Sequence, residues 1–373
     1  MIREDKDIRS TNSISEIVEC IHLKKYNEVP EKLIVMFNSL PKDQINDYFR
    51  ILAIPFLFHK TEDIFKSSEE PDSLFENTLL DLMDSTIRTV NNKDLLNILN
   101  NSFENFEEEN FQLDVKTHTG QHYGNLFKEF RNANYFEEAK KLLETRLIRN
   151  EVNIPNLKAS ALLDQGCGGG RYTTAWKLLG ANKAVGIDFS DIALSDARSR
   201  VDIAGINNID FIKGSVLNMP FEDEIFDIVY SNGVLHHTED WKKGIKEQLR
   251  VMKSGGFGWQ YLIEDPGGIF WDNIEILRAV MKDVNKKFAQ NVLISLGIPM
   301  NRVFYMLDHV MVPINTRLSS NKIIEELEKN GACNIRRLVR GTNFDRVESI
   351  YNKIPFAKKK FGIGENRFVF NKT

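Results

Sequence analysis

A glycine-rich turn between an apolar run and a helical pattern constrains the fold of this chain more than any other sequence feature. The apolar residues 161–163 are followed by Asp164 and the glycine-rich residues 166–170, and a helix-like pattern begins at Arg171. Glycines are required in such a turn because its backbone adopts conformations that side chains forbid, and because a ligand can then approach closely. The pattern predicts a strand, a ligand-binding loop and a helix.

Strand-like and helix-like segments alternate through the second half of the chain. Short apolar runs are separated by segments of helix length, which predicts an α/β fold with a doubly wound, mostly parallel sheet. The predicted strands include residues 162–163, 184–187, 211–212, 228–230, 259–263, 335–339 and 367–370. Residues 320–329 are predicted to form the last helix of this core.

Three regions differ in their patterns, and a chain of 373 residues has room for two or three structural units. Residues 1–113 have apolar side chains at helical spacing and are predicted to form a helical accessory domain. Residues 114–373 form the predicted catalytic domain, in which the helical periodicity of residues 266–310 predicts an inserted lid. Four prolines of the first region suit helix boundaries, namely Pro30, Pro41, Pro55 and Pro71.

Composition disfavours several classes of function. The chain has 49 Lys and Arg residues against 53 Asp and Glu residues, a net charge of -4, so we expect no nucleic-acid partner. Cys20, Cys167 and Cys333 have none of the spacings of a disulfide framework or a zinc site, which favours a cytoplasmic protein without a metal. No apolar run approaches the roughly 18 residues of a spanning helix, so we expect no membrane insertion.

The glycine-rich turn does not fit the dinucleotide fingerprint G-x-G-x-x-G. Counted from Gly166, that pattern requires glycine or alanine at the position of Arg171, and counted from Gly168 it fails as well. The carboxylate of Asp164 would also lie unfavourably close to phosphates, whereas it suits a cationic group. A positively charged ligand is therefore the better expectation.

These residues resemble the class I methyltransferases that depend on S-adenosylmethionine (SAM), in particular the small-molecule type 11, UbiE-like group. The resemblance covers about residues 155–265 well and the flanks loosely. It implies a Rossmann-like sheet of seven strands with the last strand antiparallel, and it implies SAM as cofactor and S-adenosylhomocysteine (SAH) as product. It also implies that the backbone at Gly166, Cys167, Gly168 and Gly170 lies against SAM, with Asp164 near its amino group or a bridging water.

Asp188 ends the next predicted strand, as far downstream as a βαβ unit requires. One carboxylate can accept hydrogen bonds from both hydroxyls of a ribose, and the resembling family uses its acid at this position in that way. We therefore expect Asp188 and the adjacent Phe189 in the cofactor site. The alternative role, capping the following helix, suits Ser190 or Asp191 better.

The sequence departs from the family after the third strand. Many relatives have an aspartate there that accepts from the adenine amino group, whereas this chain has Ser215 followed by Val216. A hydroxyl can still accept that hydrogen bond, but without the help of a charge. We expect both residues to line the cofactor site.

The loop after the fourth strand contains Asn232, Leu235, His236 and His237. In the resembling family this loop faces both SAM and the acceptor, so Asn232 and Leu235 are predicted to line the SAM pocket. The two histidines are candidates for a catalytic base. Alternatively, one of them orders the loop through a hydrogen bond.

Candidates on the acceptor side are scattered along the sequence. His122 is a third possible base, because relatives often fold the segment before the first strand over the cofactor. Tyr123, Trp271, His309 and Arg317 are predicted to contact the acceptor, although core packing explains isolated aromatics equally well.

The resulting hypothesis is a methyltransferase that acts on a small molecule, since a lid would exclude a bulky macromolecule. Two alternatives remain at this stage. One is a protein or peptide methyltransferase whose target is recruited by residues 1–113, and the other is a SAM-binding scaffold without catalysis, for which Ser215 is the hint. The N-terminal helices are also a candidate homodimer interface.

Overall fold

A seven-stranded sheet forms the centre of the structure, a computed structural model that describes residues 8–9, 25–103, 134–154 and 156–373. Its strands lie in the order β4-β3-β2-β5-β6-β9-β8, and β9 runs antiparallel to both of its neighbours while the other pairs are parallel. This order confirms the predicted Rossmann-like, mostly parallel fold. The strands are β2 (Ala161–Gln165), β3 (Lys183–Asp188), β4 (Ile209–Lys213), β5 (Phe226–Asn232), β6 (Met252–Leu262), β8 (Ala332–Arg337) and β9 (Asn366–Lys372).

A second, two-stranded sheet lies outside the central one. It pairs β1 (Ile8–Arg9) with β7 (Thr316–Arg317) in antiparallel register, and the residue after β7, Leu318, forms a bridge to Glu264 just beyond the end of β6. Residues 8–9 are thereby joined, through β7, to the end of β6.

Helices cover both faces of the central sheet, because its strands are apolar on both sides. One face packs a core around Leu163, Val229 and Phe368, and the other packs a core around Leu162, Trp176 and Trp259. The helices of this part are α5 (Tyr135–Arg149), α6 (Arg171–Leu179), α7 (Asp191–Ile203), α8 (Trp241–Val251), α12 (Ser320–Lys329), α13 (Arg346–Tyr351) and α14 (Ala357–Phe361).

The N-terminal part is helical, as expected. Its helices are α1 (Val29–Ser39), α2 (Gln44–Lys66), α3 (Pro71–Val90) and α4 (Lys93–Phe103). Pro30 and Pro71 lie in the first turns of α1 and α3, where the missing N–H costs nothing. Pro55, however, lies inside α2 and does not mark a boundary. Buried neighbours such as Ile51, Ile54 and Leu57 keep the helix continuous through packing, which outweighs the local preference of proline.

Three helices occupy the region predicted as a lid, namely α9 (Gly268–Val280), α10 (Lys286–Ser295) and α11 (Met300–Val310). They share one apolar core with the N-terminal helices, in which Leu57 and Phe75 lie together with Ile274, Leu293 and Leu307. Tyr26 also donates a hydrogen bond of 2.8 Å to Asp272 on α9. The N-terminal helices and the lid helices are therefore packed as one body, whereas the domain limits at residues 113 and 114 stay a prediction.

The described part of the chain contains neither a membrane-spanning helix nor a metal-binding cluster of side chains. No helix there is long and apolar enough to cross a membrane. Among the same residues, no group of three or more His, Cys, Asp or Glu side chains could hold a metal ion.

Candidate functional site

A cavity of about 390 Å³ opens at the carboxyl ends of β2, β3 and β5. Open parallel sheets bind ligands at this edge, where the strand order reverses between β2 and β5. The lining residues come from the loops after these strands and from more distant segments. They are Asp164, Gly166, Cys167, Gly168, Arg171, Tyr172, Asp188, Phe189, Ser215, Val216, Leu217, Tyr230, Asn232, Gly233, Val234, His237, Thr238, Glu239 and Ile314.

The glycine-rich turn packs too tightly for side chains. Gly166 has a φ of +84°, and a Cβ there would lie 2.4 Å from Val234 in the loop after β5. Gly170 has a φ of +71°, and a Cβ there would lie 2.5 Å from Phe211. The first glycine thus lets two loops meet on the cavity, and the second lets α6 begin directly over β4.

Asp164 lies at the end of β2, nearly inaccessible to solvent, and accepts a hydrogen bond of 2.6 Å from the hydroxyl of Thr173 on α6. Burial raises the pKa of its carboxyl to about 7; the hydrogen bond from Thr173 opposes this shift and the charge of Asp188 adds to it. The group therefore changes charge near neutral pH, and a cation placed beside it would favour the ionised form.

Asp188 at the end of β3 is anchored by the backbone. One carboxylate oxygen accepts from Ser190 N and the other from Gly168 N, both at 2.9 Å. Burial raises the pKa of this carboxyl, while the backbone hydrogen bonds oppose the shift. Each oxygen keeps a second lone pair, so the carboxylate can still accept two hydroxyl hydrogen bonds. Ser190, not Asp188, caps α7 by accepting from Ala193 N.

Two further polar side chains of the cavity lining already form hydrogen bonds within the protein. The hydroxyl oxygen of Ser215 accepts from Leu217 N at 3.2 Å, and the carbonyl oxygen of the Asn232 side chain accepts from the indole N–H of Trp259 at 3.2 Å. The amide nitrogen of Asn232 and a second lone pair of Ser215 are the groups that these bonds leave for a ligand.

The two adjacent histidines have different surroundings. His237 lines the cavity, and its Nδ1 lies 2.8 Å from the carbonyl oxygen of Ile314; since a carbonyl only accepts, Nδ1 carries the proton and Nε2 is the basic nitrogen. Burial lowers the pKa of His237 to about 4, against an opposing effect of Asp308. His236 is 2% exposed, and its Nδ1 accepts from Ile263 N at 3.3 Å. His236 thus joins the loop to the residue that follows β6, and it is not among the residues that line the cavity.

Most of the predicted cofactor residues meet at the cavity. Gly170 and Leu235 are near it but are not among the lining residues: Gly170 begins α6, and Leu235 is buried against Gly244. His122 and Tyr123 lie outside the described residues.

The predicted acceptor residues that are described lie beyond the cavity lining. Trp271 is buried on α9 and donates a hydrogen bond of 2.8 Å to Glu264, and its ring centroid lies 5.7 Å from that of His309. Arg317 is 1% exposed and lies 3.3 Å from Asp265 and 3.9 Å from Glu275. Its Nε and Nη1 have no hydrogen-bond acceptor in the structure.

Sequence reasoning missed several lining residues. Tyr172 follows the glycine turn, and its hydroxyl accepts from Arg146, which Asp345 holds through two bonds of 2.9 Å. The start of a helix after a glycine loop was a usable signal for Arg171 and Tyr172. Ile314 had none, because only tertiary structure brings it to a loop that lies about eighty residues earlier in the chain.

Comparison with known proteins finds a family match over part of the chain. Residues 163–259 match the family model described as a methyltransferase domain. That segment runs from the middle of β2 through β5 and contains the glycine turn, Asp188 and the histidine loop, so the match covers most of the cavity wall. Over residues 163–259 the chain is therefore similar to a methyltransferase domain.

Curated relatives and solved structures are similar to parts of this chain. Demethylmenaquinone methyltransferases of Bacillus cereus and Bacillus anthracis are 36% identical over 101 residues, which is 26% of this chain and 42% of theirs. The match therefore spans less than half the length of these relatives. A solved SAM-dependent methyltransferase from Thermotoga maritima is 15% identical, with a TM-score of 0.39 over 68% of this chain and 99% of that one.

The residues of this methyltransferase domain fit SAM, the cofactor of the family. SAM carries a sulfonium and an ammonium group, and the cavity offers the carboxylates of Asp164 and Asp188 within an apolar wall. The cavity volume of about 390 Å³ lies in the range of small-molecule sites. The hydroxyl of Tyr230, on the cavity wall, is buried without a hydrogen-bond partner in the structure, as expected where a polar ligand belongs.

Proposed function

We propose that this chain transfers the methyl group of SAM to a small-molecule acceptor and releases SAH. The observation that supports this most directly is the meeting of Asp164, Asp188 and the glycine turn on one cavity at the carboxyl edge of the sheet. Three features that sequence reasoning assigned to SAM thus face the same space, which a buried structural role would not require.

SAM, when bound, supplies a methyl group that its sulfonium already activates, so the chain needs to bind, orient and exclude water. In this proposal Asp188 accepts the hydrogen bonds of the ribose hydroxyls, and Asp164 pairs with the amino group. Tyr172, fixed through Arg146 and Asp345, forms part of the cavity wall.

His237 is the proposed proton acceptor if the attacked atom of the acceptor loses a proton. Its Nδ1–H donates to the carbonyl oxygen of Ile314, so Nε2 is the nitrogen that can accept a proton. The neutral form of His237 predominates above pH 4. His236 is proposed to position the loop. The candidate role of His122 stays a prediction.

The acceptor is proposed to be small because the lid helices and the N-terminal helices form one packed body, and the chain reaches the cavity wall at Ile314, four residues after α11 ends. Residues 314–317 run from the cavity wall to the buried Arg317. The guanidinium of Arg317 is therefore proposed to contact an electron-rich group of the acceptor. Trp271 and His309, whose rings lie close together, are proposed to contact the acceptor as well. The relatives named for demethylmenaquinone are consistent with an aromatic acceptor. A homodimer through the N-terminal helices remains part of the proposal.

Calorimetric titration of SAM and SAH tests the cofactor site. We expect micromolar binding by the wild-type chain and an affinity at least about tenfold lower for Asp188→Ala, because hydrogen bonds to a charged group are lost. Asp210→Ala, which removes an exposed aspartate at β4, is the matched control and should bind normally. Folded wild-type protein that binds neither ligand would refute the proposal.

The acceptor class is tested by separating a cell extract by size. Methylation of compounds in the low-molecular-weight fraction, followed as SAH release, supports a small-molecule acceptor. Methylation of proteins only would replace it with a protein substrate.

A further inference from the structure

An exposed group of apolar side chains lies in the C-terminal part of the chain, outside the cavity lining. Phe344 is 90% exposed, Val339 52%, Tyr351 50% and Phe356 40%. Single exposed apolar residues are normal, but three aromatics and a valine within 18 consecutive residues are not. We call residues 339–358 the aromatic segment.

The same part of the chain is strongly basic. Residues 336–360 contain eight Lys and Arg residues against two acids, in a chain whose net charge is -4. Both acids face inward: Asp345 binds Arg146 and Arg367, and Glu348 binds Arg340. The charges that face solvent in this segment are therefore positive.

Two lysines stand among the exposed aromatics. Lys353 and Lys358 are both exposed and form no ion pair with any described residue. Lys359, by contrast, pairs with Glu70 and Asp72 of the N-terminal part. Lys353 and Lys358 thus leave uncompensated positive charge directly beside Tyr351 and Phe356.

Two of these residues have an unusual backbone conformation. Lys353 and Phe356 have φ values of 54° and 57°, a left-handed conformation that is unfavourable for a residue with a bulky side chain. The segment is nevertheless firmly attached, since Arg346 donates to Glu264 at 2.7 Å and Arg340 stacks 3.8 Å from the centre of the Tyr351 ring. Exposure of Phe356 is therefore a feature of an ordered loop.

The attachment also fixes where the aromatic segment lies. Glu264 follows β6, and Ile363, just after α14, donates its N–H to Pro266 O. Because β6 runs parallel to β5, this is the edge of the sheet at which the cavity opens. A surface bound by the aromatic segment would face the cavity edge.

We propose that the aromatic segment is a docking surface for an anionic lipid membrane. Aromatic side chains favour the interface between lipid and water, and basic side chains favour anionic headgroups. The segment offers both at once, whereas a typical protein interface core is depleted of lysine. The chain then binds peripherally with its cavity edge towards the lipid, which suits an acceptor that partitions into membranes.

Flotation of the full chain with vesicles tests this proposal. We expect binding to vesicles of equal parts phosphatidylcholine and phosphatidylglycerol, little binding to phosphatidylcholine alone, and release as salt is raised. Phe344→Ser with Phe356→Ser and, separately, Lys353→Glu with Lys358→Glu should each lower the bound fraction by about fivefold or more.

Matched controls are available elsewhere on the surface. Ile203→Ser removes an apolar side chain that is 85% exposed on α7, and Lys246→Glu with Lys282→Glu reverses two exposed charges; both variants should bind vesicles as the wild type does. SAM binding by every variant reports that it is folded, because none of these residues lines the cavity.

Three results would overturn the proposal. One is the absence of binding to anionic vesicles by folded wild-type protein. Another is vesicle binding that the aromatic and lysine variants leave unchanged. The third is a wild-type dimer in light scattering that Phe344→Ser with Phe356→Ser converts to a monomer, since the surface would then serve a second copy of the chain. None of these depends on whether methyl transfer is observed.

Discussion

The carboxyl of Asp164 connects SAM binding to pH. Its pKa is about 7, chiefly because the group is buried. Without a ligand, this carboxyl is therefore mostly protonated below neutral pH. A bound cation favours the carboxylate, so binding releases a proton at low pH. We expect SAM affinity to rise with pH by up to about tenfold per unit below pH 7 and to level off above it.

Asp164→Asn checks this assignment. The amide oxygen can still accept from the hydroxyl of Thr173, but the side chain no longer titrates. Titrations of SAM between pH 5 and pH 8 should therefore show weaker binding that varies little with pH. A steep pH dependence that survives in Asp164→Asn would assign the proton to another group.

His237 makes a different prediction, because its pKa of about 4 places its titration below the usual assay range. At saturating SAM the turnover should be flat from pH 5 upward as far as this group is concerned. His237→Gln should lower turnover by about a hundredfold if the ring accepts the proton. SAH release in the presence of a low-molecular-weight extract measures it.

His236→Gln is the comparison for that experiment. His236 accepts a backbone hydrogen bond in the core, so its replacement should act through stability and loop position, with a smaller effect on turnover. Equal losses in the two variants, with unchanged SAM affinity, would argue against a special role of His237.

At the scale of elements, the glycine turn allows two close contacts, that of Gly166 with Val234 and that of Gly170 with Phe211. A substitution of Gly170 tests the second contact. Gly170→Ala combines a left-handed backbone with a clash against Phe211, whereas Gly205→Ala, at a φ of +64°, meets nothing within 4 Å. The control should lose about 1 kcal/mol of unfolding free energy. Gly170→Ala should lose roughly 1–3 kcal/mol more through overpacking.

Urea denaturation measures both variants. Adding Phe211→Leu to Gly170→Ala should recover part of the additional loss, because the clashing atoms belong to the end of the phenylalanine ring. If Gly170→Ala and Gly205→Ala are equally stable, the close approach of α6 and β4 does not limit this position.

At the scale of the whole molecule, the N-terminal helices and the lid share a core, so they should unfold together. All four tryptophans, Trp176, Trp241, Trp259 and Trp271, lie in the sheet domain or the lid. Ile54→Ala, in the fully buried part of α2, should lower stability by roughly 2–5 kcal/mol. We expect the midpoint of unfolding followed by tryptophan fluorescence to fall with it.

Leu80→Ala on α3 is the control, since that side chain is 44% exposed and its loss should hardly move the midpoint. Circular dichroism of the same samples should show one transition at the same midpoint. Two separate transitions, with fluorescence insensitive to Ile54→Ala, would mean that residues 1–113 are an independent domain.

The sequence by itself determined the α/β fold, the seven strands and the two acids of the cavity. These features are local: apolar runs specify strands, and a glycine turn with an acid before it specifies a ligand loop. Pro55 was predicted at a helix boundary but lies inside a helix, because packing in a buried helix outweighs local propensity. Leu235 was predicted to line the SAM pocket but is not among the lining residues, because loop membership does not tell which side chains face the cavity.

Only the tertiary structure decided the rest. It brought Ile314 to His237, held Tyr172 through Arg146 and Asp345, and joined the N-terminal helices to the lid. Such contacts join residues from 26 to 246 positions apart, and their energy depends on shape and burial that no local pattern encodes. The ligand-binding residues within a single loop could be predicted from the sequence. The residues that different loops bring together could be identified only from the tertiary structure.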